Sequence, residues 1–140
     1  MRRYLLALEA ALSLGAYRLA IQLPVRSLVR SEEAVASHPV VADRLPDDPQ
    51  ARSVRRMIAS IERRLPWRSS CIVQALAARS MLRRRRVATL LHFGVTLDQG
   101  RIRAHAWLEA GGGCVCGGKA AVGFTPIAAF EKKAVPLSRC

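Results

Sequence analysis

The sequence predicts an α+β domain, with helices in its first part and an antiparallel sheet in its second. Apolar residues recur at helical spacing up to the arginine run at residues 83–86, and they alternate with polar residues from Val87 onward. Glycine and Asp-Gln-Gly turn signals separate the alternating segments. A chain of 140 residues with 51% hydrophobic residues is large enough for one domain with its own core.

The N-terminal segment combines features of a signal peptide with those of an amphipathic helix. Two arginines precede an apolar run from Tyr4 to Leu23. Glu9 and Arg18 interrupt that run, and no cleavage site of small residues follows it. A membrane span would need about 20 nearly uncharged residues. We therefore expect an amphipathic helix that ends at Pro24 and docks on the domain, with contact to a membrane surface as the weaker alternative.

Two further helices are expected before the central one. Residues 25–37 are compatible with a short helix, and residues 38–49 form a connector with three prolines and three aspartates. Asp48 and Pro49 are a typical helix start, because aspartate caps free amides and proline fits the first turn. A helix over residues 50–65 follows, and Pro66 ends it.

The central helix is predicted over residues 71–84, with Ser69 or Ser70 as its cap. One stripe of this helix is built from mostly small residues, which would let it approach a sheet closely: Cys71, Ala75, Ala78 and Leu82. The arginine run at residues 83–86 closes the helix, where cations interact favourably with the helix dipole.

The second half of the sequence predicts an antiparallel meander. Strands are predicted over residues 87–97, 101–110 and 114–116, with turns at 98–100 and 111–113. Residues 117–118 and 124–127 suggest further turn and edge elements. We divide the chain into an N-terminal helical segment and connector (residues 1–48) and a core (residues 49–140).

Cys71 and His105 are the candidate nucleophile and base. A helix N-terminus lowers the pKa of a thiol, and its amides can stabilise an oxyanion. His105 shares a strand face with Trp107 and Glu109, and a cysteine on a helix with a histidine on a following strand suits nucleophilic catalysis. The alternatives are an ordinary buried cysteine and a hydrogen-bonded core histidine. Arg68 and Trp107 are candidate substrate-binding residues.

A third, orienting group is not evident. It would be expected on the next strand, but residues 114–119 contain no Asp, Glu or Asn. Glu109, Asp98, a backbone carbonyl or a water molecule could serve instead.

Charge, cysteines and aromatic content limit the other function classes. The net charge is +13, and residues 51–86 hold 11 arginines against one acid, Glu62. Such a field attracts nucleic acid, an acidic lipid surface or an acidic peptide, although a solvated helical face is the plain alternative. We expect no nucleic-acid binding, because no aromatic residues interleave with the arginines. Four cysteines without a convincing secretory signal favour free thiols in the cytoplasm.

A metal site is the rival use of the soft ligands. Cys114, Cys116, His105 and His92 could supply four of them. The C-x-C spacing on a strand does not wrap a tetrahedral ion. We therefore predict no metal and no cofactor.

Several blocks together resemble the lasso-peptide maturation proteases, the "B" proteins, which have a transglutaminase-like, papain-related fold. The blocks are residues 67–77 (WRSSCIVQALA), 81–85 (MLRRR), 91–95 (LHFGV) and 104–109 (AHAWLE). The resemblance covers roughly residues 50–130. It implies a leader peptidase with Cys71 as nucleophile and His105 as base. The family's aspartate falls about where this chain has Gly117, so the third member departs from the pattern.

The resemblance also implies partners. These are a precursor leader peptide, a separate leader-recognition protein, because the chain looks like the stand-alone protease half, and an ATP-dependent macrolactam cyclase. The alternatives are a non-catalytic basic module of the same fold that binds a peptide or partner, and acyl transfer in place of hydrolysis.

Overall fold

The computed structural model describes residues 2–20, 22, 33–35 and 43–133. Four helices and five strands lie in this part of the chain. The helices are α1 (Arg2–Ala20), α2 (Pro49–Glu62), α3 (Cys71–Arg84) and α4 (Gly118–Ala121). The strands are β1 (Glu33–Val35), β2 (Thr89–Asp98), β3 (Arg101–Ala110), β4 (Gly113–Cys116) and β5 (Thr125–Lys132). None of the described helices is long and apolar enough to cross a bilayer.

The five strands form one sheet in the order β1-β5-β2-β3-β4, and all neighbours are antiparallel. Helices with an antiparallel sheet confirm the predicted α+β class. The predicted meander is wrong after β4, because β5 returns to lie between β2 and β1. Residues 124–127 therefore lead into an inner strand rather than an edge element. The pairing of β2 with β5 shifts register next to Pro126, which has no amide to donate.

The short helix predicted over residues 25–37 is wrong where the structure describes it. Residues Glu33–Val35 form β1, which pairs with β5 so that Ala34 lies opposite Phe130. Hydrogen bonding to a strand distant in sequence overrides local helix propensity here. The remainder of that helix, the end of the N-terminal helix at Pro24 and residues 36–42 of the connector lie outside the described residues.

Helix α2 begins as predicted. Asp48 is the N-cap, and its Oδ1 accepts a hydrogen bond of 2.8 Å from the Ala51 amide. Pro49 occupies the first turn. The helix ends at Glu62 rather than Leu65, and residues 63 and 64 form a turn. Val54 and Ile58 are buried on its inner face.

Helix α3 has the predicted bounds and supplies much of the core. Its stripe residues Ala75, Ala78 and Leu82 are fully buried. They belong to a cluster that also contains Leu14 of α1 and Leu108 of β3. Close approach of small side chains thus brings three helices and the sheet together.

Two glycine-containing turns set the sheet register. Gln99 and Gly100 have φ angles of 49° and 76°, so they form a two-residue hairpin turn between Asp98 and Arg101. Gly111 and Gly112, with positive φ, connect β3 to β4. Strand β3 has its predicted bounds. The division at residue 48 stays a prediction.

A charged contact fastens α1 to the end of α3. Glu9 accepts hydrogen bonds from Arg84 and from Arg85, which pairs with both carboxylate oxygens. Hydrogen bonding from Arg85 is the main cause that lowers the pKa of Glu9 below its ordinary value. The Glu9 side chain is 23% exposed. This contact therefore joins α1 to the domain in a partly desolvated place.

We predict that Glu9→Gln lowers the free energy of unfolding by about 1–2 kcal/mol at pH 7, since a hydrogen bond to a charged partner contributes roughly that much. A carboxyl whose pKa is lowered in the folded state stabilises above its unfolded pKa and loses that effect as pH falls. The difference between wild type and variant should therefore shrink below about pH 4.5. Urea unfolding at several pH values measures it.

Asp98→Asn is the matched control, because Asp98 pairs with Arg103 in an exposed position, with side chains 49% and 64% exposed. It should change stability by less than about 0.5 kcal/mol. Equal effects of the two substitutions would contradict a special role for Glu9.

Candidate active site

A cavity of about 410 Å³ lies between the N-terminal end of α3, strands β3 and β4, and the segment that follows β4. The chemistry-bearing residues on its wall come from distant parts of the chain. They are Asp43, Arg55, Cys71, Gln74, His105, Cys114, Cys116 and Lys119. Both Cys71 and His105 thus face one space, although 34 positions separate them in the sequence.

Cys71 is the first residue of α3 and is partly exposed. The first intrahelical hydrogen bond runs from the Gln74 amide to the Ser70 carbonyl oxygen, at 3.1 Å. Ser70 is the N-cap by backbone conformation, but its side chain makes no capping hydrogen bond. The predicted side-chain cap is therefore wrong at this residue. The amides of the first turn have no acceptor within the helix, and a helix N-terminus of this kind can bind an anionic group.

The other two cysteines on the cavity wall are poor nucleophiles. Burial raises the pKa of Cys114 to about 11. Burial also raises the pKa of Cys116, and neighbouring thiols add to the effect. Both residues stay protonated at neutral pH, and the thiolate is the reactive form. Among the cysteines that the structure describes, Cys71 alone sits at a helix N-terminus.

His105 is held by a backbone carbonyl group. Its Nε2 lies 2.8 Å from the carbonyl oxygen of Gly117. A carbonyl oxygen can only accept a hydrogen bond, so Nε2 must carry the proton. In the neutral ring, Nδ1 then has a free lone pair. The contact selects the tautomer that can accept a proton at Nδ1.

The position of Gly117 excludes any side chain. Its φ angle is +78°, and a Cβ built there would lie 2.6 Å from the Ala106 carbonyl oxygen and 3.0 Å from Trp107 Cβ. An aspartate cannot occupy this place without moving the backbone. At the position where the sequence resemblance led us to expect an aspartate, this chain places a main-chain oxygen against the imidazole. Of the alternatives left open by the sequence, the backbone carbonyl is the one in contact.

Aromatic rings enclose the imidazole. The centroid of Phe124 lies 5.0 Å from that of His105, and the ring of Trp107 is nearly parallel to His105 at 6.2 Å. Trp107 stacks with its other neighbour, His92, at 5.1 Å. Gly94, opposite His105, leaves room for the indole, since a Cβ there would lie 2.9 Å from it.

The remaining candidates do not line the cavity. Trp107 is fully buried, so it packs against His105 instead of presenting a surface to a substrate. Glu109 follows Trp107 on the same face of β3. Its Oε2 lies 3.4 Å from Nε2 of His92. Asp98 accepts a hydrogen bond from Arg103 at the exposed hairpin end. Arg68 is exposed.

The potential metal ligands are not assembled. His92 is fully buried against Trp107. Within residues 2–20, 22, 33–35 and 43–133, no three His, Cys, Asp or Glu side chains are grouped to hold an ion. Cys140 lies outside the described residues.

Sequence reasoning missed three residues around the site. Gln74 follows Cys71 by about one helical turn and lines the cavity, and this spacing was a usable signal. Arg55 donates to the Cys114 carbonyl oxygen at 2.7 Å and to Asp43 at 2.8 Å, which fixes one wall. Phe124 reaches His105 only through the path of the chain after α4. Nothing local in the sequence pointed to Arg55 or Phe124.

Comparison with known proteins identifies the family. A family model described as the transglutaminase-like superfamily matches residues 13–129, which include Cys71, His105 and Gly117. Comparisons with curated proteins and with solved structures gave no significant match. Because the matched region covers most of the chain and contains the whole cavity wall, the protein belongs to the transglutaminase-like superfamily.

Proposed function

We propose that this chain is a cysteine peptidase that removes the leader from a ribosomally made lasso-peptide precursor. The observation that carries the proposal is that Cys71 and His105 line the same cavity. The transglutaminase-like superfamily includes cysteine peptidases. The AHAWLE block and its distance from Cys71 support the narrower assignment to leader removal.

The reaction begins with proton transfer from the Cys71 thiol to Nδ1 of His105. The thiolate attacks the scissile carbonyl carbon, and His105 then gives its proton to the leaving amine. The C–N bond breaks and a thioester to Cys71 remains. His105 next removes a proton from a water molecule that attacks the thioester, so that the acid is released and the thiol is restored.

The first-turn amides of α3 are placed to stabilise the oxyanion. They point out of the helix end that begins at Cys71, and the Ser70 side chain does not occupy them. Donors that are already oriented stabilise developing charge without reorganisation. Gln74 is a further donor at this wall, and its Nε2 now donates to the Ser69 carbonyl oxygen at 3.2 Å.

The imidazolium in this site is oriented by a dipole instead of a carboxylate. The Gly117 carbonyl oxygen accepts the hydrogen bond from Nε2 throughout the catalytic cycle. The rings of Trp107 and Phe124 limit rotation of the His105 imidazole. We infer that Gly117 is a positioning residue through its main chain, and that the site works as a Cys–His dyad.

The partners proposed for this peptidase follow from the resemblance. They are the precursor leader peptide, a separate leader-recognition protein and an ATP-dependent cyclase that closes the macrolactam. The free thiols of Cys71, Cys114 and Cys116 support action in the cytoplasm.

Several arginines of the basic stretch at residues 51–86 form hydrogen bonds within the chain. Arg52, Arg55, Arg84 and Arg85 donate hydrogen bonds within the chain. Steering of an acidic leader would therefore depend on the arginines that remain exposed, together with Lys119 at the cavity.

We predict that Cys71→Ala and His105→Ala each reduce precursor cleavage by about 10²–10⁴-fold, because each removes one half of the dyad. Cleavage of the precursor in the presence of its recognition protein, followed by mass spectrometry, measures the effect. Cys140→Ala removes a thiol outside the matched region and should cleave like wild type.

The products separate the competing functions. Hydrolysis gives a core peptide with a free amine and a leader with a free carboxyl, whereas acyl transfer joins the leader to an added amine. Precursor binding without turnover, equal in wild type and Cys71→Ala, would favour the non-catalytic module. Full cleavage by Cys71→Ala would refute the peptidase mechanism.

We also predict that Gly117→Ala lowers kcat by about 10–100-fold with little change in KM, since an added Cβ must displace the carbonyl that orients His105. Gly100→Ala is the matched control. Gly100 has nearly the same φ angle, +76°, but nothing lies within 4 Å of its Cβ position. Both variants carry similar backbone strain, so a selective loss of kcat isolates the contact.

The tautomer of His105 can be tested in the wild-type protein, so this test does not depend on whether a variant folds. Nitrogen-15 NMR of the wild-type histidines should show His105 protonated at Nε2 at a pH where the ring is neutral. A His105 protonated at Nδ1, or equal kcat in the two glycine variants, would overturn the role of the Gly117 carbonyl.

A further inference from the structure

Helix α1 carries an apolar face that packs little against the described residues of the domain. Its large side chains on that face are Tyr4, Leu5, Leu8, Leu12 and Leu19, which are between 57% and 81% exposed. Leu5, Leu8 and Leu12 are spaced by three and four residues, and Leu19 follows two helical turns later, so these four leucines form one stripe. An outer helix face on a globular domain is usually polar. This apolar stripe is therefore available to contact another molecule.

The opposite face of α1 is the one that packs. Ala10 and Leu14 are fully buried, and Ser13 is 8% exposed. Ala10 and Leu14 belong to the main core cluster together with residues of α2 and α3. The outer leucines can therefore contact something else while the fold remains intact.

The stripe runs along α1 between two grooves, and we call this outer side of α1 the ridge; Leu5, Leu8 and Leu12 also line the groove towards α3. A groove of about 630 Å³ separates α1 from the start of α2, and another of about 540 Å³ separates it from α3. The helix has 19 residues, which corresponds to roughly 28 Å of length. A convex ridge of aliphatic side chains can enter the boundary between lipid headgroups and acyl chains without a complementary groove.

The charge around the ridge is positive. Glu9 is the one acidic residue of α1, and Arg84 and Arg85 bind its carboxylate. Arg84 remains half exposed, and Arg18 lies over the Trp67 ring near the other end of the helix. Apolar side chains with flanking cations are the composition that anionic lipid surfaces attract.

We propose that α1 docks the protein on the surface of an anionic phospholipid bilayer, with the helix parallel to the membrane plane. A second copy of this chain is disfavoured as the occupant, since two molecules of net charge +13 repel each other. The proposal does not depend on peptidase activity, and its test requires no substrate.

The test is cosedimentation of the full chain with vesicles of 70% phosphatidylcholine and 30% phosphatidylglycerol, and with pure phosphatidylcholine. The wild type should pellet with the anionic vesicles, bind the neutral ones at least about tenfold more weakly, and lose binding as salt is raised. The double substitution Leu8→Gln and Leu12→Gln should weaken binding by about tenfold or more.

The matched control is Leu97→Gln with Ile102→Gln. These side chains are 72% and 79% exposed and pair at the far end of the β2–β3 hairpin. The control should bind like wild type. Both double variants replace exposed side chains, so circular dichroism should show unchanged folding.

Two results would overturn the proposal. One is failure of the wild type to pellet with anionic vesicles, which would point to an acidic protein partner for the ridge. The other is an equal loss of binding in the two double variants, which would show general stickiness of exposed apolar residues.

Discussion

The hydrogen bond from His105 Nε2 to the Gly117 carbonyl oxygen joins strand β3 to the loop beyond β4. Its geometry requires a left-handed glycine, because any Cβ would collide with the main chain of Ala106. The ring of Trp107 lies nearly parallel to the imidazole at a centroid distance of 6.2 Å. The tautomer, the direction of Nδ1 and the shape of the cavity wall all depend on this one contact.

The three thiols on the cavity wall differ in how far they are buried. Burial keeps Cys114 and Cys116 protonated, since a thiolate would lose its hydration there. Cys71 is the first residue of α3 and is partly exposed, so its thiol is accessible from the cavity. In the proposed mechanism the nucleophile and the amides that stabilise the oxyanion both come from the N-terminal end of α3.

Helix α1 is apolar on two faces, and each face has a different role. One face completes the core with Ala10 and Leu14, and the Glu9 contact with Arg84 and Arg85 fastens it. The other face stays exposed. A helix of this kind stabilises a small domain and offers an attachment surface at the same time, because burial of one stripe is enough for packing.

The sequence by itself determined the local features: the bounds of α3 and β3, the Asp48 cap, and the hairpin turn at Gln99 and Gly100. It also named Cys71 and His105 as candidates for one site. Periodicity, turn chemistry and capping operate over a few residues, so they can be read directly. The tertiary structure alone decided that β5 lies inside the sheet, that residues Glu33–Val35 are a strand, and that Phe124 and the Gly117 carbonyl meet His105. Those contacts join distant segments, and a backbone oxygen leaves no signature in residue type.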